Sequence, residues 1–405
     1  MSGKDHKPGT RLVEAGRKRE WTSIPGNTGR VVSPPVWRAS THLYENCEDL
    51  AQGRPNENGH FYYGRRGGPT QWALADALTR LEKGADGTEL FPSGVAAIAC
   101  TLMALLRPGD ELLVTDNAYE PTRNIALSML KQFGITARPF DPLKPERLAD
   151  LIGANTKAVM LESPGSLTLE VCDIPALAAI ARQHKLLSII DNTWATPLGF
   201  PALEHGCDVS VMSLTKHVGG HSDVMMGSAT AAKPVINRIR RQAQFMGQVV
   251  SPDDAALALR GLRTMEVRLK HSTATAVAVA RWLCDQPAVS AVLCPMLPGV
   301  PGHDLWQRDF SGGCGLFSFV LTEGVDAVAR ARFIDSLELF GIGFSWGGFE
   351  SLAIPFDPAP VHTLRPWPPE IDEGSGLGVR LSIGLEDASD LIGDLATGLD
   401  AIGVS

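Results

Sequence analysis

The chain has 405 residues, enough for two or three domains and a large buried core. Hydrophobic residues make up 44% and charged residues 20%, the composition of an ordinary globular protein. A net charge of −8 without any basic stripe excludes a nucleic-acid surface, and no apolar run is long enough to cross a bilayer. The charged start of the chain lacks the apolar core of a signal peptide, so a cytoplasmic protein is expected.

Seven cysteines are scattered along the chain, and none has C-x-x-C spacing. We therefore expect reduced thiols, most of them buried as small hydrophobic side chains. His217 and His221 flank the glycine-rich loop that follows a lysine, but no third ligand stands near them in the sequence. No metal site is predicted.

The first segment, residues 1–66, is rich in Pro, Gly, Ser and Arg. It predicts an irregular N-terminal arm that packs on something else or on a neighbouring subunit. Helical spacing of apolar residues begins after it, in TQWALADALTRLEKG (70–84) and in VAAIACTLMALLRPGD (95–110). These helices open a second segment, predicted to run from residue 67 to residue 262.

Short apolar runs alternate with helical patterns in the rest of that second segment. Four runs predict strands, ELLVTD (111–116), KAVMLES (157–163), LLSIIDNT (186–193) and VSVMS (209–213), and IPALAAIARQHK between them predicts a helix. Such alternation indicates an α/β domain with a mostly parallel central sheet and helices on both faces. Ligands of these sheets collect at the carboxyl ends of the strands.

The third segment, residues 263–405, has a different pattern. It starts with a long predicted helix, MEVRLKHSTATAVAVARWLCDQP, and continues with predicted strands in GLFSFVL, FGIGFSWGG and GVRLSIGLED. These elements indicate a smaller C-terminal α+β domain.

A lysine follows one of the apolar strands, in VSVMSLTKHVGG. An ammonium group at such a place is costly unless it is paired or used in chemistry. Asp191 ends the preceding strand, and although a lone Asp there is more often a turn or cap residue, Lys216 ends the very next strand. A lysine and an acid on adjacent strand ends suggest a pyridoxal phosphate site, with the lysine as Schiff base and the acid on the pyridinium nitrogen.

Other strand ends carry residues that suit the same cofactor. Ser93 and Gly94 stand at a strand-to-helix junction, where backbone N–H groups favour an anion, and Ser213 and Thr215 could add hydroxyl donors. Tyr119 follows another strand and could stack on a pyridine ring, although a half-buried loop tyrosine is an equally good reading of that residue alone.

These motifs together resemble those of the cysteine/methionine-metabolism family of fold-type I pyridoxal phosphate enzymes. The resemblance covers nearly the whole chain, in YGRRGGPTQ, LFPSG, NAYEPT, LESPGS, DNTWATP, SLTKHVGGHSD, MGQVVSPDDA, RGLRT, LPGVPGHDLWQRDFSGGCGLFSF, SWGGFESL and RLSIGLED. It implies the fold-type I transferase-like fold, pyridoxal 5′-phosphate as cofactor and a homotetramer built as a dimer of dimers.

The resemblance also implies a role for individual residues. Lys216 matches the Schiff-base lysine, Asp191 the pyridinium partner and Tyr119 the stacking tyrosine. Further matches lie around the phosphate (Gly94, Val95, Ser213 and Thr215), in the arm that reaches a neighbouring subunit's cofactor (Tyr63 and Arg65) and in the substrate pocket (Arg380, Ser345, Trp346 and again Tyr63). Arg380 matches the residue that grips the substrate α-carboxylate.

Single residues within the motifs favour one reaction among those of the family. Trp346 in SWGG, Trp194 in DNTW and the absence of cysteine from NAYEP are typical of bacterial β-lyases that cleave the thioether cystathionine in methionine biosynthesis by transsulfuration. Ala256 stands where some β-lyases have tyrosine, so the distal pocket is expected to differ in shape. The alternatives are γ-lyase or γ-synthase activity, cysteine desulfhydrase-type activity, and a regulatory cofactor-binding protein with vestigial catalysis.

Overall fold

The computed structural model describes residues 6–24, 26–53, 61–357, 364 and 377–402. In this part of the chain the strands are β1 Gly87–Phe91, β2 Glu111–Thr115, β3 Thr136–Phe140, β4 Thr156–Glu162, β5 Leu187–Asp191, β6 Val209–Ser213, β7 Gly227–Ala231, β8 Val289–Leu293, β9 Leu316–Leu321, β10 Gly341–Ile342, β11 Leu352–Phe356 and β12 Gly378–Ser382.

The α-helices of the same residues are α1 Pro8–Glu14, α2 Arg19–Thr22, α3 Cys47–Ala51, α4 Pro69–Thr79, α5 Gly94–Leu105, α6 Glu120–Asn124, α7 Leu130–Gln132, α8 Leu148–Leu151, α9 Ile174–Gln183, α10 Thr196–Gly199, α11 Val235–Phe245, α12 Pro252–Leu262, α13 Met265–Cys284, α14 His303–Asp309, α15 Ala327–Asp335 and α16 Ala388–Asp400. Short 3₁₀ turns occupy Gly64–Arg66 and Pro145–Arg147, and a π-helical turn occupies Ile125–Met129.

The chain divides into two compact units that are not continuous in sequence. One comprises residues 1–106 and 201–266, and the other comprises residues 107–200 and 267–405. In the first unit β7 pairs antiparallel with β1 on one side and with β6 on the other. Helix α5 packs on β6 and β7 and against α11, and α4 packs against α12.

The second unit contains four parallel strands in the order β5-β4-β2-β3. The interior of β4, from Ala158 to Leu161, is fully buried, and so are Leu112, Leu113 and Val114 of β2. A near-continuous apolar run is what a parallel strand covered on both faces requires. All four strands therefore present their carboxyl ends at one edge.

The same unit contains a smaller five-stranded sheet in the order β10-β11-β12-β9-β8. Strand β9 lies between β8 and β12, is antiparallel to both, and is buried at every position. Phe319 of β9 meets Phe333 of α15 edge to face, with ring centroids 6.0 Å apart. This aromatic pair anchors α15 to the sheet.

The predicted elements of the second and third segments are confirmed at most positions. The strand predicted over 209–213 has the same bounds in the structure, and the one predicted over 157–163 differs by one residue at each end. The strand predicted in FGIGFSWGG is wrong beyond Gly341–Ile342, because Ser345 adopts a positive φ of 90° that no strand contains. The predicted division at residues 66 and 262 stays a prediction.

The arm is less irregular than its composition predicts. Among its described residues are three short helices, α1, α2 and α3, and Leu12 and Trp21 are buried. Five of the seven cysteines are buried, as expected. No helix of the described residues is long and apolar enough to cross a membrane. In the same part of the chain no group of three or more His, Cys, Asp or Glu side chains could hold a metal ion.

Candidate active site

The first group of candidate residues lies where α5 begins beside the ends of β6 and β7. A Cβ atom on Gly94 would lie 2.7 Å from the Cβ of Ser213, and one on Gly227 would lie 2.3 Å from the carbonyl oxygen of Ser93. Glycine at both positions therefore allows the helix start to approach the strands closely. Ser93 caps the helix, since its hydroxyl accepts the Ala96 N–H at 3.1 Å.

The start of α5 suits a phosphate. The first N–H groups of a helix have no hydrogen-bond partner within the helix. The Ser93 side chain accepts only the N–H of Ala96. Val95 is 41% exposed, so the first turn is open to a ligand. Backbone donors at a helix N-terminus, with glycine in place of a blocking side chain, form an anion cradle. The family resemblance implies that Gly94 and Val95 lie around a phosphate, and the geometry of the helix start suits that role.

Lys216 lies in the turn that follows β6. Its backbone N–H donates to the Ser213 carbonyl at 3.2 Å, and its own carbonyl accepts the Gly220 N–H at 2.8 Å. The Thr215 hydroxyl accepts the Met226 N–H at 3.0 Å and donates to the Met226 carbonyl at 3.3 Å. These bonds hold the lysine's backbone in place, and Thr215 contributes to that rigidity rather than only to phosphate binding.

The arm residues Tyr63 and Arg65 are both exposed. The turn between them is tight, because Gly64 donates its N–H to the Ser40 carbonyl at 2.7 Å and leaves no room for a Cβ beside Ala39. Arg65 donates to the Gln244 carbonyl at 3.1 Å, and Tyr63 is 44% exposed. A rigid turn thus presents both side chains on the surface.

The second group belongs to the other unit, at the carboxyl edge of its parallel strands. Asp191 is the last residue of β5, and Tyr119 follows β2 by four residues. Burial is the largest cause that raises the pKa of the Tyr119 phenol, the negative charges of Asp191 and Glu162 raise it further, and Arg380 lowers it. These electrostatic interactions show that Tyr119, Asp191 and Arg380 share one neighbourhood.

Asp191 is held by a residue that the sequence analysis missed. Oδ1 of Asp191 accepts the Thr193 N–H at 3.1 Å and the Thr193 hydroxyl at 2.5 Å. Two donors on one oxygen fix the carboxylate plane and favour its charged form. The signal was present in DNTW, where a hydroxyl residue stands two positions after the acid, the spacing of an Asx turn.

Arg380, in β12, is the largely buried cation of this group. One guanidinium nitrogen donates to the Ser345 carbonyl at 2.9 Å, while Nε is buried without a hydrogen-bond partner among the described residues. Burial lowers the pKa of Arg380 to about 10, and the Tyr119 phenol opposes that shift. An uncompensated buried donor of this kind suits an anionic ligand such as a carboxylate.

Ser345 and Trp346 stand beside this arginine in the chain's fold. Ser345 has a positive φ of 90°, a strained conformation for a residue with a side chain, and its carbonyl binds Arg380. Trp194 is only 5% exposed and donates its indole N–H to the Leu316 carbonyl at 3.1 Å. Neither Phe nor Tyr could make that bond, so Trp194 ties the loop after β5 to β9.

Comparison with known proteins identifies the class. The family model described as Cys/Met metabolism PLP-dependent enzyme matches residues 9–400. The chain is 42% identical over 401 residues to cystathionine beta-lyase MetC of Escherichia coli, covering 98% of this chain and 99% of that protein. It is 34% identical to the L-alanine/L-glutamate racemase of Wolbachia pipientis, covering 96% of each. A solved structure titled metB from Corynebacterium glutamicum matches with a TM-score of 0.85 and 28% identity, covering 98% of each chain.

The chain belongs to the Cys/Met metabolism PLP-dependent enzyme family. The predicted fold class, the fold-type I architecture, is confirmed, and the cofactor is pyridoxal phosphate. The cradle at Gly94 and the unpartnered Nε of Arg380 fit this cofactor and an amino-acid carboxylate, respectively.

Substitution of Gly94 tests the cradle. Gly94→Ala adds a Cβ that would collide with Ser213, so the helix start must move away from β6 and carry its N–H groups with it. We expect the dissociation constant for pyridoxal phosphate to rise by at least about tenfold in absorbance titrations of apoprotein. Gly393→Ala in α16 is the matched control, since its Cβ meets no atom within 4 Å. Equal cofactor affinity in both variants would contradict the cradle.

Proposed function

We propose that this chain is a carbon–sulfur β-lyase that cleaves cystathionine to homocysteine, pyruvate and ammonia. The observation that carries the proposal is the unpartnered, buried Nε of Arg380, whose charge acts with that of Asp191 on Tyr119, in a chain whose full-length relatives include a cystathionine beta-lyase. Such a reaction belongs to methionine biosynthesis by transsulfuration. We further propose a cytoplasmic homotetramer.

We propose a role in cofactor binding for residues of each group. Lys216 would bind the cofactor covalently, Asp191 would pair with its ring nitrogen and Tyr119 would stack on its ring. The α5 cradle would hold the phosphate, together with residues from both subunits of a dimer. These residues are Gly94, Val95, Ser213 and Thr215 of one chain and Tyr63 and Arg65 of the neighbour.

The substrate is held at its α-carboxylate by Arg380, with Ser345, Trp346 and Tyr63 around it. When bound, pyridoxal phosphate supplies an electron sink for the charge that develops on the substrate's α carbon. Once the substrate's amine has displaced it from the cofactor, the Lys216 amine would take the α proton, and as an ammonium it would hand a proton to the departing sulfur. The bond between the β carbon and sulfur breaks, homocysteine leaves, and hydrolysis of the three-carbon remainder gives pyruvate and ammonia.

Asp191 makes this elimination possible by staying negatively charged. A carboxylate beside the ring nitrogen favours a proton there, and the two hydrogen bonds from Thr193 favour the charged carboxylate. Trp194 keeps the loop after Asp191 against β9 and so limits the freedom of this acid.

The products formed from cystathionine distinguish between the reactions that an enzyme of this fold could catalyse. With purified protein and cystathionine, we expect pyruvate together with homocysteine, measured by mass spectrometry of the derivatised products. Formation of 2-oxobutyrate instead would show γ-cleavage. Interconversion of L- and D-alanine without any carbon–sulfur cleavage would assign the chain to racemisation. Cofactor binding with no turnover of cystathionine, cystine or cysteine would favour a regulatory protein.

Replacement of Arg380 should affect substrate far more than cofactor. Arg380→Lys keeps the charge and loses the forked geometry of the guanidinium, and disruption of such a pair costs about 2–5 kcal/mol, so we expect kcat/KM to fall by about 30- to 5,000-fold. Cofactor affinity should stay unchanged. The control is Arg332→Lys on the exposed face of α15. Parallel loss of cofactor and activity in Arg380→Lys would give Arg380 a structural role.

Subunit exchange tests the shared arm. Lys216→Ala and Arg65→Ala proteins, each inactive, should regain about one quarter of wild-type activity after mixing, since about half of the dimers are hybrids with one intact site. In a control mixture of Lys216→Ala with Asp191→Asn, both defects lie in residues of the same chain's site, so every hybrid site stays defective. No recovery in the first mixture, with exchange verified by native mass spectrometry, would show that Arg65 serves its own chain.

A further inference from the structure

Glu162 has no part in the roles assigned so far, yet it touches one candidate site residue and neighbours another. It is the last residue of β4, and its Oε2 accepts the backbone N–H of Tyr119 at 2.7 Å. In the register of the parallel pair β4 and β5, Glu162 stands opposite Asp191. Its carboxyl group thus lies at the strand edge between the ring-stacking tyrosine and the acid.

Tyr119 depends on backbone contacts for its position. Its side chain is 43% exposed, so packing covers only about half of it. Its carbonyl accepts the Arg123 N–H at 3.1 Å within the short helix α6, which moves together with Tyr119. The bond to Glu162 is different, because it joins the tyrosine to a strand of the sheet 43 residues further along the chain.

The burial of Glu162 and the charges near it indicate which property of its side chain Tyr119 depends on. Burial raises the pKa of the Glu162 carboxyl well above its usual range, and the negative charge of Asp191 raises it further. The Tyr119 N–H and the positive charge of Arg123 act in the opposite sense. A neutral side chain at position 162 places no negative charge beside Asp191. Glutamine, whose amide oxygen also accepts a hydrogen bond, should therefore serve nearly as well as glutamate.

We propose that Glu162 is a positioning residue, whose carboxyl oxygen fixes the backbone of Tyr119 and thereby the ring that stacks on the cofactor. The proposal rests on the proposed function for the role of that ring. The chemistry needed of residue 162 is a hydrogen-bond acceptor at the length of a glutamate side chain.

The test compares Glu162→Ala, which removes the acceptor, with Glu162→Gln, which keeps it. Amide hydrogen exchange at Tyr119 reports the bond directly, with no need of activity. We expect exchange to be about tenfold faster in Glu162→Ala than in wild type and near wild type in Glu162→Gln. Visible circular dichroism of the bound cofactor should weaken in Glu162→Ala alone, and its kcat should fall more than its KM changes.

The matched control is Glu120→Gln. Glu120 is exposed, adjoins Tyr119 and also raises the pKa of its phenol, but the Tyr119 amide donates to Glu162, so the loss of the Glu120 charge should leave exchange and dichroism unchanged. If Glu162→Ala does not fold, Glu162→Asp replaces it, because the shorter side chain withdraws the acceptor and should also speed the exchange at Tyr119.

Two results would overturn the proposal. One is Tyr119 exchange at the wild-type rate in both Glu162→Ala and Glu162→Asp. The other is a Glu162→Gln protein with the same dichroism and kcat losses as Glu162→Ala, since that would assign the effect to the acid's charge. Failure of the proposed function looks different, because wild-type protein would then lack the cofactor's visible band or fail to release pyruvate.

Discussion

The close approach of the α5 N-terminus to the ends of β6 and β7 is the constraint on which the first group of candidate residues depends. Gly94 and Gly227 allow it, because a Cβ at either position would collide with backbone or with Ser213. Two glycines lose more conformational entropy on folding than other residues would. In return, the junction brings the first N–H groups of α5 next to the turn that carries Lys216.

The second group of candidate residues, in the other unit, is brought together by the parallel strands. Parallel strands end at one edge, and the residues just beyond them meet there without any special sequence between them. Asp191 ends β5, Glu162 ends β4 and Tyr119 lies in the loop after β2, and they interact because of this geometry. Two acids this close repel each other when both are charged. Each therefore has its own hydrogen-bond donor: Thr193 donates to Asp191, and the Tyr119 amide donates to Glu162.

Much of this arrangement could be predicted from the sequence, and the reasons for the failures are physical. Strand ends such as Asp191 are visible because buried parallel strands are apolar runs with abrupt polar ends. Glu162 was equally visible as the acid near the end of KAVMLES, but an acid at a strand end gives no hint of its partner 43 residues away. The strand predicted around Ser345 failed because a positive φ imposed by the tertiary fold overrides local β propensity.

We propose that Lys216, held by the turn after β6, is the residue that binds pyridoxal phosphate covalently. Borohydride reduction of the holoprotein, followed by proteolysis and mass spectrometry, measures this directly. We expect a single pyridoxyl label on the peptide SLTKHVGGHSD, at Lys216. A label on another lysine, or no label in protein that shows the cofactor's visible band, would contradict it.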